Sequence, residues 1–155
     1  MKNLLCGTIN EQLLDQEVET CGWVATRRDH GGVIFIDLRD YSGLVQLVFN
    51  PDNNDLFSRA ETLRSEFVLR IKGIVRQRPH DSENLDLNTG KIEINVLELE
   101  ILNKSKTPAI KVNDNEISEE QRLQYRYLDL RSDEMQKNLR FRSKLLGCIR
   151  NFFYQ

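Results

Sequence analysis

The chain has 155 residues and a formal net charge of −2, and 39% of its residues are hydrophobic and 30% charged. This composition is typical of a soluble globular protein with one domain and a piece of another, and any nucleic-acid surface must be a local patch because the chain is not basic overall. The sequence predicts no membrane span and no signal peptide, since it lacks a long apolar run and its N-terminus turns polar within a few residues.

Five strand-like segments precede residue 103, and glycines suited to tight hairpin turns lie between the first three. The predicted strands are Glu17–Arg28, Val33–Asp40, Leu44–Asn50, Glu66–Arg78 and Lys91–Leu102. Apolar residues at helical spacing occupy 51–64, between the third and fourth strands. The sequence therefore predicts an all-β five-stranded OB-fold barrel with one helix between strands 3 and 4. The polar loop 79–90 would join the last two strands, where OB-folds help to bind oligonucleotides.

The rest of the chain is predicted to be a hinge followed by helix. Segment 103–116 has little to bury and is expected to be a linker. Ser118 is a candidate N-cap, with Gln121 closing a capping box, for a helix that ends near Tyr125. Segment 126–131 is expected to be a packed connector. We therefore expect an OB-fold domain over residues 1–102 and a hinge over 103–131.

A last helix is predicted from Ser132 to the end of the chain. Its apolar stripe consists of Leu139, Leu145, Leu146, Ile149, Phe152 and Phe153. Such a stripe needs a partner surface, and no later sequence is present to supply one. Residues 132–155 are therefore expected to be the first helix of a truncated second domain.

One face of the predicted sheet carries an aromatic side chain among charges. In the second strand Ile34 and Ile36 point to one face, whereas Phe35 and Asp37 point to the other. A neighbouring loop could cover Phe35. Alternatively, an aromatic beside arginines on a polar sheet face is how proteins stack unpaired bases.

The fourth and fifth strands add cations and an acid to this face. Arg70, Lys72, Arg76 and Arg78 share one side of the fourth strand, which indicates either a solvated surface or phosphate contacts. Glu93 is expected to face outward, and Gln46 interrupts an otherwise apolar strand. An amide and an acid can pair with base edges, while the acid repels non-specific phosphate. Together these residues predict recognition of a short single strand.

The sequence offers little support for an enzyme active site or a metal site. It contains no P-loop, nucleophile elbow or metalloprotease motif. Cys6, Cys21 and Cys148 lack metal-ligand spacing, which predicts reduced thiols in a cytoplasm and no metal site. We interpret Asp37 and Asp40, on either side of Arg39, as strand-end salt bridges rather than as an acid–base pair.

Four segments together resemble bacterial-type aspartyl-tRNA synthetases of class IIb. They are residues 21–29 (CGWVATRRD), 34–40 (IFIDLRD), 43–49 (GLVQLVF) and 125–131 (YRYLDLR). The resemblance covers about residues 4–155. Lysyl- and asparaginyl-tRNA synthetases share the OB-fold, but the strand Phe-Ile-Asp-Leu-Arg-Asp favours the aspartyl enzymes.

The resemblance implies that the barrel binds the anticodon loop of tRNA(Asp), whose anticodon is GUC. Phe35 would stack on an anticodon base, Gln46 would read the central uridine, and Glu93 would read edge groups, with the first base as its expected position. Four arginines would approach bases and backbone: Arg28, Arg64, Arg76 and Arg78. Thr26 departs from relatives that carry a third arginine there, and the resemblance implies that one phosphate or base contact is lost with it.

The resemblance also implies a parent enzyme, an aspartate–tRNA ligase that uses ATP and Mg²⁺ and dimerises through its class II domain in the cytoplasm. This chain would hold no cofactor and would be inactive alone, because the later class II motifs are missing from it. Neither a membrane nor DNA is an expected partner.

His30, in the first hairpin turn, would lie near the third anticodon base in this family. The anticodons of tRNA(Asp) and tRNA(Asn), GUC and GUU, differ at that base. Histidine rather than leucine here goes with relaxed discrimination among bacterial relatives, so the parent is expected to accept tRNA(Asn) as well. The alternative is that His30 is simply a turn residue.

Three other interpretations of the chain stay open at this point. It could be a stand-alone OB-fold that binds single-stranded nucleic acid, although its near-zero charge argues against a non-specific binder. It could be the same domain of a lysyl- or asparaginyl-tRNA synthetase. A pure protein-interaction OB-fold would leave Phe35, Gln46 and Glu93 without a role.

Overall fold

The structure is a computed structural model that describes residues 4–114 and 116–154. It divides into two compact units, residues 1–107 and 108–155.

The described part of the first unit forms a closed five-stranded barrel. Its elements are β1 (Glu17–His30), β2 (Val33–Arg39), β3 (Leu44–Phe49), α1 (Asn54–Glu61), β4 (Val68–Gln77) and β5 (Ile92–Asn103). The strand order is β1-β2-β3-β5-β4, closed by pairing of β4 with β1. The β3–β5 pair is parallel and the other pairs are antiparallel. This topology confirms the predicted OB-fold with a helix between the third and fourth strands.

Alternation along the strands builds the core of the barrel. Ile34, Ile36 and Leu38 in β2 are fully buried, as is Phe49 at the end of β3. The odd-numbered residues of β2 alternate with its buried ones, and they are half-buried and face away from the core. Phe35 and Asp37 therefore lie on the face of β2 that is turned away from the apolar core.

Gly73 lets β4 pass close to β5 where the barrel closes. The β4–β5 register shifts between Lys72 and Gly73, and an added Cβ at residue 73 would lie 2.4 Å from the carbonyl oxygen of Asn95. A side chain cannot be accommodated at such a distance from backbone. The register shift and the glycine together allow the sharp bend that a small barrel requires.

The helix and the N-terminal segment differ in detail from expectation. α1 is shorter than the predicted segment 51–64, because Asn53 caps it by accepting a hydrogen bond from the Leu56 N–H at 3.1 Å. Two 3₁₀ turns, Cys6–Thr8 and Glu11–Leu13, precede β1 and were not predicted, since so short a segment shows no periodicity. Cys6 belongs to the core, and burial raises the pKa of its thiol to about 12.

The acidic residues around Arg39 have different partners from those expected. Arg39 pairs with Glu66 at 2.8 Å, and Asp37 pairs with Arg28 at 2.8 Å. The Asp40 carboxylate accepts hydrogen bonds from the backbone N–H groups of Cys6 (2.7 Å), Ser42 (2.7 Å) and Gly43 (3.2 Å). The interpretation of Asp40 as half of a strand-end ion pair is therefore wrong, because its role is to organise a turn and anchor the N-terminal segment.

Replacing Asp40 with alanine is expected to lower the free energy of unfolding by about 2–3 kcal/mol, since partly buried N–H groups lose a charged acceptor. The midpoint of urea unfolding measures this change. Asp52, an exposed acid in the next turn, is the matched control, and Asp52→Ala should change stability by less than about 0.5 kcal/mol. Equal shifts in the two variants would contradict the anchoring role of Asp40.

The described part of the second unit consists of helices. They are α2 (Glu119–Gln124), α3 (Arg126–Asp129) and α4 (Asp133–Phe153). Ser118 and Ser132 cap α2 and α4 as predicted, by accepting from the N–H groups of Gln121 (3.3 Å) and Met135 (3.4 Å). The connector 126–131 turns out to be largely the short helix α3.

A buried acid holds α2 and α3 together. Asp129 is buried and accepts hydrogen bonds from Arg122, at 2.7 Å, and from Arg126. Leu128 beside it is buried as well, whereas Tyr127 is exposed, and the expectation that this segment is a packed connector stays a prediction.

The long helix α4 has large apolar side chains that are exposed. No residue within α4 is buried, and Phe141, Phe152 and Phe153 are among its exposed apolar residues. Among the described residues, no helix is both long and apolar enough to cross a membrane.

Candidate nucleic-acid interface

An open groove of about 1160 Å³ lies on the barrel, lined by the β1–β2 hairpin and by the loop that joins β4 to β5. Each of the first three strands contributes lining residues, and one more follows β4 directly. They include Arg28 and His30 from β1, Phe35 and Asp37 from β2, Gln46 from β3, and Arg78 just after β4. The groove therefore contains an aromatic ring, an amide and several charges.

Phe35 lies on the groove side of β2. It is in register with Arg28 on β1 and with Val48 on β3. Its side chain is half-buried, whereas its strand neighbours Ile34 and Ile36 are fully buried in the core. The ring thus lies at the surface of the groove, where a planar ligand can contact it.

Five charged and polar side chains, one from each strand of the barrel, form a continuous hydrogen-bonded network. Arg28 Nη2 donates to Asp37 Oδ1 at 2.8 Å and to Gln46 Oε1 at 3.2 Å. Gln46 Nε2 donates to Glu93 Oε2 at 2.9 Å, and Arg76 Nε donates to Glu93 Oε1 at 2.8 Å. We call Asp37, Arg28, Gln46, Glu93 and Arg76 the five-strand network.

Burial shifts the pKa values of two charged residues at this network. Desolvation raises the pKa of Asp37, against the opposing effect of the positive charges of Arg28 and Arg78. Desolvation also lowers the pKa of Arg78, which is 6% exposed, although Glu93 and Asp37 favour its charged form. Arg78 Nε donates to the backbone carbonyl of Ile92 at 2.8 Å. The groove thus holds a buried positive charge on Arg78 and a half-buried negative charge on Asp37.

The loop that joins β4 to β5 is closed by its own backbone. The N–H of Asn84 donates to the carbonyl of Gly90 at 3.0 Å, and the N–H of Gly90 donates to Leu87 at 2.9 Å. The Thr89 hydroxyl donates to the carbonyl of Leu44 on β3. Residues 81–87 of this loop line the groove. The loop is therefore an ordered wall of the groove.

The structure brings together seven of the eight residues predicted for the site. Five of them, Arg28, His30, Phe35, Gln46 and Arg78, line the groove directly. Glu93 and Arg76 join them through the five-strand network. Arg64 is not among the lining residues, and its guanidinium donates instead to the carbonyls of Glu61 and Leu63 at the end of α1.

One expectation for this face needs correction. Glu93 is 3% exposed rather than solvated, because Gln46 and Arg76 cover it. Arg70 and Lys72, interpreted from the sequence as either a solvated surface or phosphate contacts, pair with acids of β5, at 3.1 Å to Glu100 and 2.9 Å to Glu98.

Asp37 was missed as a groove residue. Its alternation with Phe35 on β2 placed both side chains on one face, which is the signal that could have found it. Its pairing with Arg28 depends on the β1–β2 register, in which Asp37 lies opposite Thr26 after a bulge. Among the described residues, no group of three or more His, Cys, Asp or Glu side chains could hold a metal ion.

Family models match both parts of the chain. The model of the OB-fold nucleic acid binding domain matches residues 18–102, and that of class II tRNA synthetases (D, K and N) matches residues 118–155. The aspartate--tRNA(Asp/Asn) ligase of Legionella pneumophila (strain Paris) is 51% identical over 153 residues, which are 98% of this chain and 26% of that protein. The chain thus spans about a quarter of the length of the curated relatives it matches.

Solved structures agree with these matches. The asparaginyl-tRNA synthetase of Pyrococcus horikoshii in complex with asparaginyl-adenylate superimposes with a TM-score of 0.84 at 25% identity, covering 99% of this chain and 34% of that one. The aspartyl-tRNA synthetase of Entamoeba histolytica gives a TM-score of 0.85 at 17% identity over 99% of this chain and 37% of that one, which supports the fold alone. The chain belongs to the OB-fold nucleic acid binding family, whose model matches more than half of its residues.

Proposed function

We propose that this chain is the anticodon-binding region of an aspartate–tRNA ligase and that its groove binds the anticodon loop of tRNA(Asp), GUC. The observation that carries the proposal is the groove itself, in which one aromatic ring lies beside an amide held between charged side chains. Unpaired bases are recognised in this way, by stacking and by hydrogen bonds to their edges. The 51% identity to a ligase named for tRNA(Asp/Asn) supports it.

Each part of the groove has a role in this proposal. Phe35 stacks on an anticodon base, and Gln46 reads the central uridine. Arg28 and Arg78 contact base edges or phosphates, and Glu93 contacts edge groups of the first base. The carboxylates of Asp37 and Glu93 lower the affinity for phosphate alone, so that binding depends on the bases rather than on a basic surface.

The parent enzyme, in this proposal, is a cytoplasmic homodimer that charges tRNA with aspartate. ATP and Mg²⁺ supply the activation of the aspartate carboxylate. We assign that step to the class II domain, whose family model matches residues 118–155. The described residues of this chain provide the RNA contacts, and we assign no ATP or Mg²⁺ site to them.

Titration with anticodon stem-loops tests the proposal. The chain is mixed at fixed moderate salt with stem-loops that carry GUC, GUU or an unrelated anticodon. We expect GUC and GUU to bind at least about tenfold more tightly than the unrelated loop, which corresponds to a difference of about 1.4 kcal/mol, within the range for one good base contact. Equal binding of all three stem-loops would reject anticodon recognition.

His30 is proposed to allow the second tRNA, tRNA(Asn). It is exposed at the end of β1 and lines the groove. A neutral imidazole has one donor and one acceptor, so it can pair with either pyrimidine at the third base. In His30→Leu we expect binding of GUU to weaken about three- to tenfold more than binding of GUC, the equivalent of one hydrogen bond. If the ratio of the GUC and GUU affinities is unchanged in His30→Leu, His30 is only a turn residue.

A further inference from the structure

Charged neighbours hold the side-chain amide of Gln46 in one of its two orientations. Its Oε1 accepts from Arg28 at 3.2 Å, and its Nε2 donates to Glu93 at 2.9 Å. A guanidinium can only donate and a carboxylate can only accept. Turning the amide by 180° would place donor against donor and acceptor against acceptor, so this orientation is strongly preferred.

The two neighbours are themselves held in place. Arg28 is paired with Asp37 at 2.8 Å, and Glu93 is paired with Arg76 at 2.8 Å. Gln46 and Glu93 are buried, at 7% and 3% exposure, so their hydrogen bonds are shielded from competing water. The orientation of Gln46 is therefore a property of the whole five-strand network.

One donor and one acceptor of the Gln46 amide remain for a ligand. An amide has two N–H groups and two oxygen lone pairs, and each neighbour uses one of these. Gln46 lines the groove, where the remaining pair has a fixed order. Uracil offers an N–H beside a carbonyl, whereas cytosine in the same pose offers a ring acceptor beside an amino group. A fixed amide can satisfy only one of these patterns.

We propose that Arg28 and Glu93 are positioning residues that lock the Gln46 amide so that it accepts uracil and rejects cytosine. The proposal rests on the proposed function, because the groove must bind an anticodon loop. Without the lock, the amide could turn around and pair with either pyrimidine. Specificity at the central base then depends on Arg28 and Glu93 as well as on Gln46, because these two side chains fix the order of the donor and acceptor that the base meets.

The test compares binding of GUC and GCC stem-loops by the wild type, by Arg28→Gln/Glu93→Gln, and by Gln46→Ala. Glutamine can donate or accept, so the double variant preserves size while it releases the lock. We expect the wild type to prefer uracil at least about tenfold, as one bidentate contact would give, and both variants to prefer it less than about threefold. Each single variant should lie between these limits, since one neighbour still holds the amide.

The matched control is Arg70→Gln/Glu100→Gln. It makes the same two changes in an exposed ion pair, 3.1 Å apart, that lies outside the groove. We expect it to keep the preference for uracil.

A second measurement does not depend on RNA. Hydrogen exchange of the Gln46 side-chain amide, followed by NMR, should be slow in the wild type and faster in Arg28→Gln/Glu93→Gln. Arg28→Gln alone serves if the double variant does not fold, because the Arg28 side chain is half exposed.

Each outcome decides between the lock and the broader function. If the double variant keeps the wild-type preference for uracil while Gln46→Ala loses it, Gln46 reads the base but no lock exists. If Gln46→Ala keeps the preference, Gln46 does not read this base. In both cases the proposed function stands. If the wild type does not distinguish GUC from an unrelated anticodon, the proposed function and the lock both fail.

Discussion

Replacing Phe35 with alanine is expected to weaken binding of the GUC stem-loop by about 10- to 100-fold, because stacking of one base on an aromatic ring contributes about 1–3 kcal/mol. The ring is half-buried on the groove side of β2, and the β2 residues on either side of it form the core. The change should therefore act on binding more than on folding. Fluorescence anisotropy of a labelled stem-loop measures the affinity, and urea unfolding of the same variant measures stability.

Two further variants distinguish base stacking on the Phe35 ring from simple filling of space by an apolar side chain. Phe35→Leu keeps an apolar side chain of similar size but has no π face, so it should bind nearly as weakly as Phe35→Ala, whereas Phe35→Tyr should bind like the wild type. Tyr41→Ala removes an exposed aromatic that does not line the groove and is expected to leave binding unchanged. Wild-type affinity in Phe35→Leu would mean that Phe35 only fills space.

Replacing Gly90 with alanine is expected to disrupt the loop that joins β4 to β5. A Cβ at this position would lie 1.6 Å from the carbonyl oxygen of Asn84 and 2.9 Å from that of Leu87. These are backbone atoms of the same closed loop, so the loop must open to make room. We expect a loss of about 2–3 kcal/mol of stability, as for overpacking of a tight site, and at least tenfold weaker binding of the stem-loop because one wall of the groove moves.

The control for Gly90→Ala is the same substitution, glycine to alanine, at Gly147. At Gly147 in α4 an added Cβ meets no atom within 4 Å, and alanine favours a helix interior over glycine by about 1 kcal/mol. Gly147→Ala should therefore be neutral or stabilising and should not change binding. The role of the Gly90 loop would be contradicted if Gly90→Ala bound the GUC stem-loop with wild-type affinity.

Local sequence was sufficient to predict the strands and helices from which the barrel is built. Strict alternation such as Ile34, Ile36 and Leu38 determines which face of a strand is buried, and glycines between the strands allow the turns. The strand positions, the helix before β4 and the serine caps of α2 and α4 follow from such short-range patterns. The strand β1 is longer than predicted because its pairing with β2 extends to His30, and α1 begins later than predicted because Asn53 is its N-cap.

The sequence by itself also identified the types of residue in and beside the groove, including Phe35, Gln46 and Glu93. An aromatic and an acid stand where alternation exposes them, and an amide interrupts an apolar strand. What only the tertiary structure decided is how these side chains meet. The five-strand network takes one residue from every strand, and its members are up to 65 positions apart, between Arg28 and Glu93. Barrel closure and register bring them within hydrogen-bonding distance, and neither property can be derived from a single strand. For the same reason Glu93, exposed by its pattern, is buried by partners from two other strands.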